Sequence, residues 1–170
     1  MRKTISLIAM AAIVFVACDP KKEGTANTEA SKGTGITLDS SANIELVKKL
    51  NYAFPAGDSV VVYSCYTDTA KVHDNLNIMS IKENVREFAS LKGKGLTFKV
   101  DKINEIFEVV NNKPSPDGVS NYVIAWVTLD LQKGNKSIKV QMNQGFAIKN
   151  GKIVEEWDTY DTGGLMDLMK

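Results

Sequence analysis

The chain has 170 residues, 21 basic and 20 acidic side chains and a formal net charge of +1. Acids and bases are interspersed without a basic stripe, which excludes a nucleic-acid reader built on phosphate neutralisation. The apolar share of 44% is ordinary for a globular protein. Without its apolar leader the chain keeps about 150 residues, enough for one domain with its own core.

Arg2 and Lys3 precede an apolar run from Ile5 to Ala17, and small Ala17 stands directly before Cys18. That three-part order is the pattern of a secretory signal. With a cysteine at the cleavage point it resembles the lipobox of bacterial lipoproteins, which implies a lipidated Cys18 as the new N-terminus. The run is about thirteen residues, short of the roughly twenty that a spanning helix needs. The expectation is a signal peptide over 1–17 and a domain lipid-anchored in the cell envelope, on a membrane outside the cytoplasm. Cys65 is then the remaining cysteine, so an intrachain disulfide is excluded. Its apolar surroundings suit a small buried hydrophobe.

Residues 18–37 are rich in Lys, Glu, Thr, Ser, Gly and Ala, with no large hydrophobe before Ile36. Such a composition cannot bury enough apolar surface to offset its ordering entropy, and it reads as a flexible tether. The domain then spans 38–170. Asp39, Ser40 and Ser41 offer helix caps, and Ile44, Val47 and Leu50 recur at helical spacing. Pro55 to Asp58 is expected to break that helix. Val60 to Cys65 suits a short second helix or a strand, and Ala70 to Asp74 a brief strand. Ser80 and Glu83 form a capping box before a third helix with Ile81, Val85, Phe88 and Leu91 on one face and Gly93 at its end.

Beyond Gly95 the period changes to two. Leu96–Val110, Val119–Gln132, Ser137–Lys149 and Lys152–Tyr160 read as strands, and Asn150-Gly151 is a strong hairpin signal. Helices first and antiparallel strands afterwards point to an α+β fold. In Ser137–Lys149 the residues Ile138, Val140, Met142, Phe146 and Ile148 share one face. Gln144 falls on that same face, where a polar group must find a partner or line a cavity. In the last strand Glu156, Asp158 and Tyr160 alternate against Ile153, Glu155, Trp157 and Thr159. The Asp158 set is expected to face the pocket. Trp126 and Trp157 suit core or interface positions, and Leu165–Met169 an apolar segment that closes one end of the fold or joins a dimer.

Gly57-Asp58, Tyr66 to Asp74, Ile81 to Phe88 and the closing Asn150-Gly151-Lys152-Ile153-Val154-Glu155-Glu156-Trp157-Asp158 occur in order. Together they resemble the nuclear transport factor 2-like superfamily, most of all its SnoaL-like branch, from about Ile44 to the C-terminus. The resemblance implies a cone: a strongly curved antiparallel sheet wrapped around three N-terminal helices, with a pocket on the concave side. It also offers two catalytic patterns. By likeness to ketosteroid isomerases, whose carboxyl groups are tuned by their surroundings, Asp74 matches the proton-accepting aspartate. The tyrosine and late-strand acid positions read Leu50 and Gln144, and Tyr52 lies on another helical face. By likeness to SnoaL-like cyclases, Asp158 matches the aspartate of the Trp-Asp pair, while the assisting histidine is again replaced near Gln144. The single histidine, His73, alternates with Asp74 on its strand.

With both catalytic sets incomplete, the expected function is binding of a small apolar or amphipathic ligand. Gln144, Met142, Phe146 and Tyr160 would line the concave pocket. One alternative is a proton-transfer enzyme, isomerase- or cyclase-like, using Asp74 or Asp158. Another is a non-catalytic envelope interaction or dimerisation module, and a homodimer is among the expected partners. No spacing suggests a metal site or a phosphate loop, so no metal or cofactor is expected.

Overall fold

The structure, a computed structural model, describes residues 35–170. The leader, Cys18 and most of the tether lie outside the described residues. The described elements are β1 (Gly35–Leu38), α1 (Ala42–Ala56), α2 (Ser59–Cys65), β2 (Tyr66–Asp74) and β3 (Asn77–Ser80), followed by α3 (Ile81–Gly93) and β4 (Leu96–Asn111). The chain continues through β5 (Asn121–Lys133), β6 (Lys136–Lys149), β7 (Lys152–Tyr160) and α4 (Gly163–Met169). Among the described residues seven strands form one sheet in the order β1-β4-β5-β6-β7-β2-β3. Every pair is antiparallel except β2 with β7.

Local chemistry explains the helices. Ser41 caps α1 by accepting the backbone N–H of Ile44 at 3.0 Å. The helix runs through Pro55 and stops at Gly57, whose φ of 80° is the left-handed stop. Pro55 thus removes one hydrogen bond near the end without halting the helix earlier. The terminal carbonyls of Pro55 and Ala56 accept from Lys92 Nζ at 3.2 and 3.3 Å. Val60 to Cys65 is helical, with Asp58 capping Val61 at 3.0 Å. In α3 the Ser80–Glu83 capping box closes in both directions.

Three elements, β1, β2 and the unexpected strand β3, differ from the sequence expectation. Strand β1 takes Gly35, Ile36 and Thr37 out of the expected tether and pairs them with β4. Ile36 is 56% exposed, so the strand is held by main-chain bonds rather than by side-chain burial. Its backbone approaches so closely that a Cβ at Gly35 would meet the Val110 carbonyl oxygen. Strand β2 begins at Tyr66 rather than Ala70 and folds back on β3 through Asn75, which has a φ of 52°.

The core lies between α1, α2 and the concave face of the sheet. Ile44, Val47 and Leu50 from α1 pack with Val62, Cys65, Val72, Val123 and Phe146. Cys65 is buried and free, and burial raises its thiol pKa. A second cluster at the other end joins Leu96, Leu131 and Val140 to Leu168 of α4, so the C-terminal helix closes that end of the cone.

Candidate functional site

Strand register builds the site. Gln144 of β6 pairs with Asp158 of β7, and Asp158 pairs with Asp74 of β2. Three polar side chains from three neighbouring strands therefore form one row across the concave face, although they are widely separated in sequence. One position along, Met142 pairs with Tyr160. All five, with Glu156, line a cavity of about 140 Å³. Its walls are mostly apolar: Leu50 and Phe54 from α1, Phe88 and Leu91 from α3, Phe98 from β4, Leu131 from β5 and Leu165 from α4. The rings of Phe54, Phe88 and Phe98 run in a chain with centroids 4.7 and 4.4 Å apart.

The polar floor is a stack of acids with few donors. Gln144 Nε2 donates to Asp158 Oδ1 at 3.0 Å. The Tyr66 hydroxyl donates to Glu156 Oε2, and the Tyr160 hydroxyl hydrogen-bonds Asp74. Burial pushes Asp158 up to about 7, with the Gln144 hydrogen bond working against it and the charge of Asp74 adding to it. Burial, then the charge of Asp158, hold Glu156 well above the usual carboxylate range. Tyr66 and Tyr160 are raised as well, by burial first and then by Glu156 and Asp74 respectively. Gln144 is 8% exposed, and its Oε1 is buried with no hydrogen-bond partner in the protein. Among the described residues no group of His, Cys, Asp and Glu has the geometry to hold a metal ion.

The residues singled out from sequence fall into two groups. Asp74, Asp158, Gln144, Met142 and Tyr160 come together on the cavity wall. Phe146 does not join them: it is fully buried beneath α1 in the helix–sheet core. It shares the face of Gln144, but at that end of the strand the side chains of α1 and α2 occupy the space. The outward set of β7 also needs correction. The register shifts between Ala147 and Ile148 of β6, so the alternation breaks near Val154 and Ile153 turns into the core. Glu155 and Trp157 do face outward, where His73 Nε2 lies 2.7 Å from Glu155 Oε1 and its ring stacks on Trp157. Trp126 packs against Phe107 and is 39% exposed.

The alternation with Asp158 and Tyr160 put Glu156 on the pocket face, where it lies, but Tyr66 was not identified as its partner. Tyr66 meets it across ninety positions of sequence separation, which no local pattern reveals.

No protein-family model matches the chain, and no curated protein matches it in sequence. Solved structures do match in fold. An LEH-like epoxide hydrolase from M. tuberculosis superposes with a TM-score of 0.56 at 18% identity, over 75% of this chain and 89% of its own. A proposed polyketide cyclase from Xanthomonas campestris pv. campestris gives 0.58 at 11% identity, over 76% and 97%. TerC, co-crystallised with polyporic acid, gives 0.55 at 14% identity, over 76% and 98%. The fold is the nuclear transport factor 2-like cone in its SnoaL-like form. Identities this low carry the fold and no activity.

Proposed function

We propose that the domain binds a small, mostly apolar molecule by one polar end. The body of the ligand rests on Phe54, Phe88, Phe98 and Leu131, and its polar end meets the row of Asp74, Asp158 and Gln144. The observation that carries this reading is the unpartnered Gln144 Oε1 on the wall of an otherwise apolar cavity. A buried acceptor left without a donor costs about 1–3 kcal/mol, and a ligand donor offsets that cost. That TerC, a structure of like fold, was co-crystallised with polyporic acid supports the use of such a cone for small-molecule binding.

The test is saturable binding of benzyl alcohol, followed by shifts in the NMR signals of the Met142 and Leu131 methyl groups. Filling the cavity with Met142→Trp abolishes the response. The absence of a saturable shift with toluene, benzyl alcohol and benzylamine alike overturns the reading.

A second reading is favoured by the carboxyl held near 7. Asp158 beside Asp74 has the proton affinity that a general acid or base needs near neutral pH. In this reading the bound molecule is a carbonyl compound and Asp158 exchanges a proton at its α-carbon, with Gln144 orienting the substrate oxygen. Deuterium exchange into a panel of ketones would be lost in Asp158→Asn and Asp74→Asn. Exchange unchanged in both variants eliminates it.

Attachment to a membrane through Cys18 is part of the same proposal. Fatty-acid labelling of the wild-type chain but not of Cys18→Ala is the expected outcome, and equal labelling of the two would exclude the anchor.

A further inference from the structure

We propose that the cavity is selective for a cationic ligand, an apolar amine whose ammonium group donates to Asp158 and to Gln144 Oε1. This rests on the reading that the cavity binds a small molecule, and it names the chemical class.

The ionisable groups that line the cavity are Asp74, Glu87, Glu156, Asp158 and Tyr160, all acids, and none of its lining residues is Lys, Arg or His. The nearby bases are engaged elsewhere: His73 with Glu155 on the outer face, and Lys92 with the last carbonyls of α1. Gln144 Nε2 gives one of its two N–H groups to Asp158. Asn51 donates its amide to the Val47 carbonyl, and Asn84 of α3, the remaining lining amide, brings an acceptor along with its donors. With Asp158 ionised, what the row leaves toward the cavity is mainly acceptor capacity, and the unpartnered Gln144 Oε1, more than nine-tenths buried, is part of it. An ammonium group has three donors and no acceptor, which complements such a floor. An alcohol brings one donor, and a carboxylate ligand meets only like charge. The ring chain of Phe54, Phe88 and Phe98 supplies apolar contact for the body of the amine.

A proton is exchanged on binding. Asp158 faces Asp74 from β2 and Glu156 and Tyr160 from its own strand; Tyr66 lies behind Glu156, Gln144 adjoins from β6 and Glu87 stands on α3. In the free protein burial, with the charge of Asp74, raises Asp158 to about 7 against the hydrogen bonds of Gln144 and Glu156. An ammonium ion in contact favours the carboxylate instead. Asp158 therefore releases its proton to the buffer as the amine enters, and the charge carried into the cavity is matched by the charge formed there.

Three probes of one size separate the outcomes: benzylamine, benzyl alcohol and benzoate, titrated calorimetrically into the folded domain in two buffers of different ionisation enthalpy at pH 6.5. Benzylamine is expected to bind at least about tenfold more tightly than benzyl alcohol, as charge-assisted hydrogen bonds exceed neutral ones. It also releases protons, which benzyl alcohol does not, and benzoate does not bind. Asp158→Asn removes both the preference and the proton release. Benzyl alcohol binding as tightly as benzylamine overturns the amine inference and leaves the small-molecule reading standing. Binding of benzylamine without proton release overturns the role given to Asp158. Because the three-ligand comparison is made on the wild-type protein, it does not depend on the folding of a variant.

Discussion

Glu108 of β4 and Glu156 of β7 are both buried carboxyls, 1% and 5% exposed, yet their surroundings are opposite. Burial alone raises Glu108, but hydrogen bonds from Ser41, Asn121 and Asn43 outweigh it and leave its pKa lowered. The two asparagine amides each donate to Oε1 at 2.6 Å. The carboxylate also sits at the start of α1, where the helix dipole favours negative charge. Glu156 has one tyrosine donor and two acidic neighbours, and its pKa is raised. The first arrangement ties a helix to a sheet. The second leaves proton affinity unspent inside a cavity. A buried acid surrounded by neutral donors is a fastening, whereas acids stacked against each other mark a place where a ligand or a proton completes the set.

Four measurements sharpen that contrast. The largest effect is expected from Glu108→Leu, which strands the Asn43 and Asn121 amides and should cost about 3 kcal/mol in denaturant unfolding. Asp158→Asn should act in the other direction and depend on pH. Unfolded, Asp158 titrates near its ordinary 3.8; folded, it keeps its proton to about 7. Between those values the folded state binds more protons, so this group withdraws stability as pH rises. The variant should therefore gain on the order of 2 kcal/mol over wild type at pH 8, less than the full shift because the carboxyl retains some solvent contact, and nothing at pH 3. Glu108 has the reverse sign: its folded pKa lies below 4.5, so its contribution is present above that value and fades as pH falls through the folded pKa. Asn121→Ala removes one donor and should cost about 1 kcal/mol, with a measurable rise in the pKa of Glu108. Glu156→Gln keeps an acceptor for Tyr66 and removes a carboxyl whose folded pKa is raised, so like Asp158→Asn it should gain stability over wild type at pH 7 and nothing at pH 3. A loss of several kcal/mol there would show that Glu156 is a fastening like Glu108.

Much of the fold was legible because it is written in short-range chemistry. The Ser80–Glu83 capping box, the Asn150-Gly151 hairpin and the alternation of β6 each involve residues close in sequence, and each appears where the sequence placed it. Strand β1 was not legible, since its stability comes from main-chain pairing with β4 and from Gly35 rather than from apolar side chains. Of the row, Gln144 is legible from the alternation of β6, while Asp74 and Asp158 come from a family resemblance. What brings the three together is the parallel pairing of β2 with β7, a long-range register that periodicity does not encode. Phe146 shows the limit of face assignment. The correct face of a strand still has a filled end and an open end, and only the packing of α1 decides which.

The position of β7 has a consequence for how the molecule comes into being. The last strand of the chain lies between β6 and β2 and carries Glu156 and Asp158 to residues made some eighty positions earlier. Until it docks, a growing chain presents two unpaired strand edges, on β2 and on β6, and has no acidic floor. Such long-range closure is slow and leaves edges open to wrong partners. Loss of β7 would thus do more than remove one strand: it would part β2 and β3 from the rest of the sheet. Binding in the cavity would then serve as a direct readout of a finished fold.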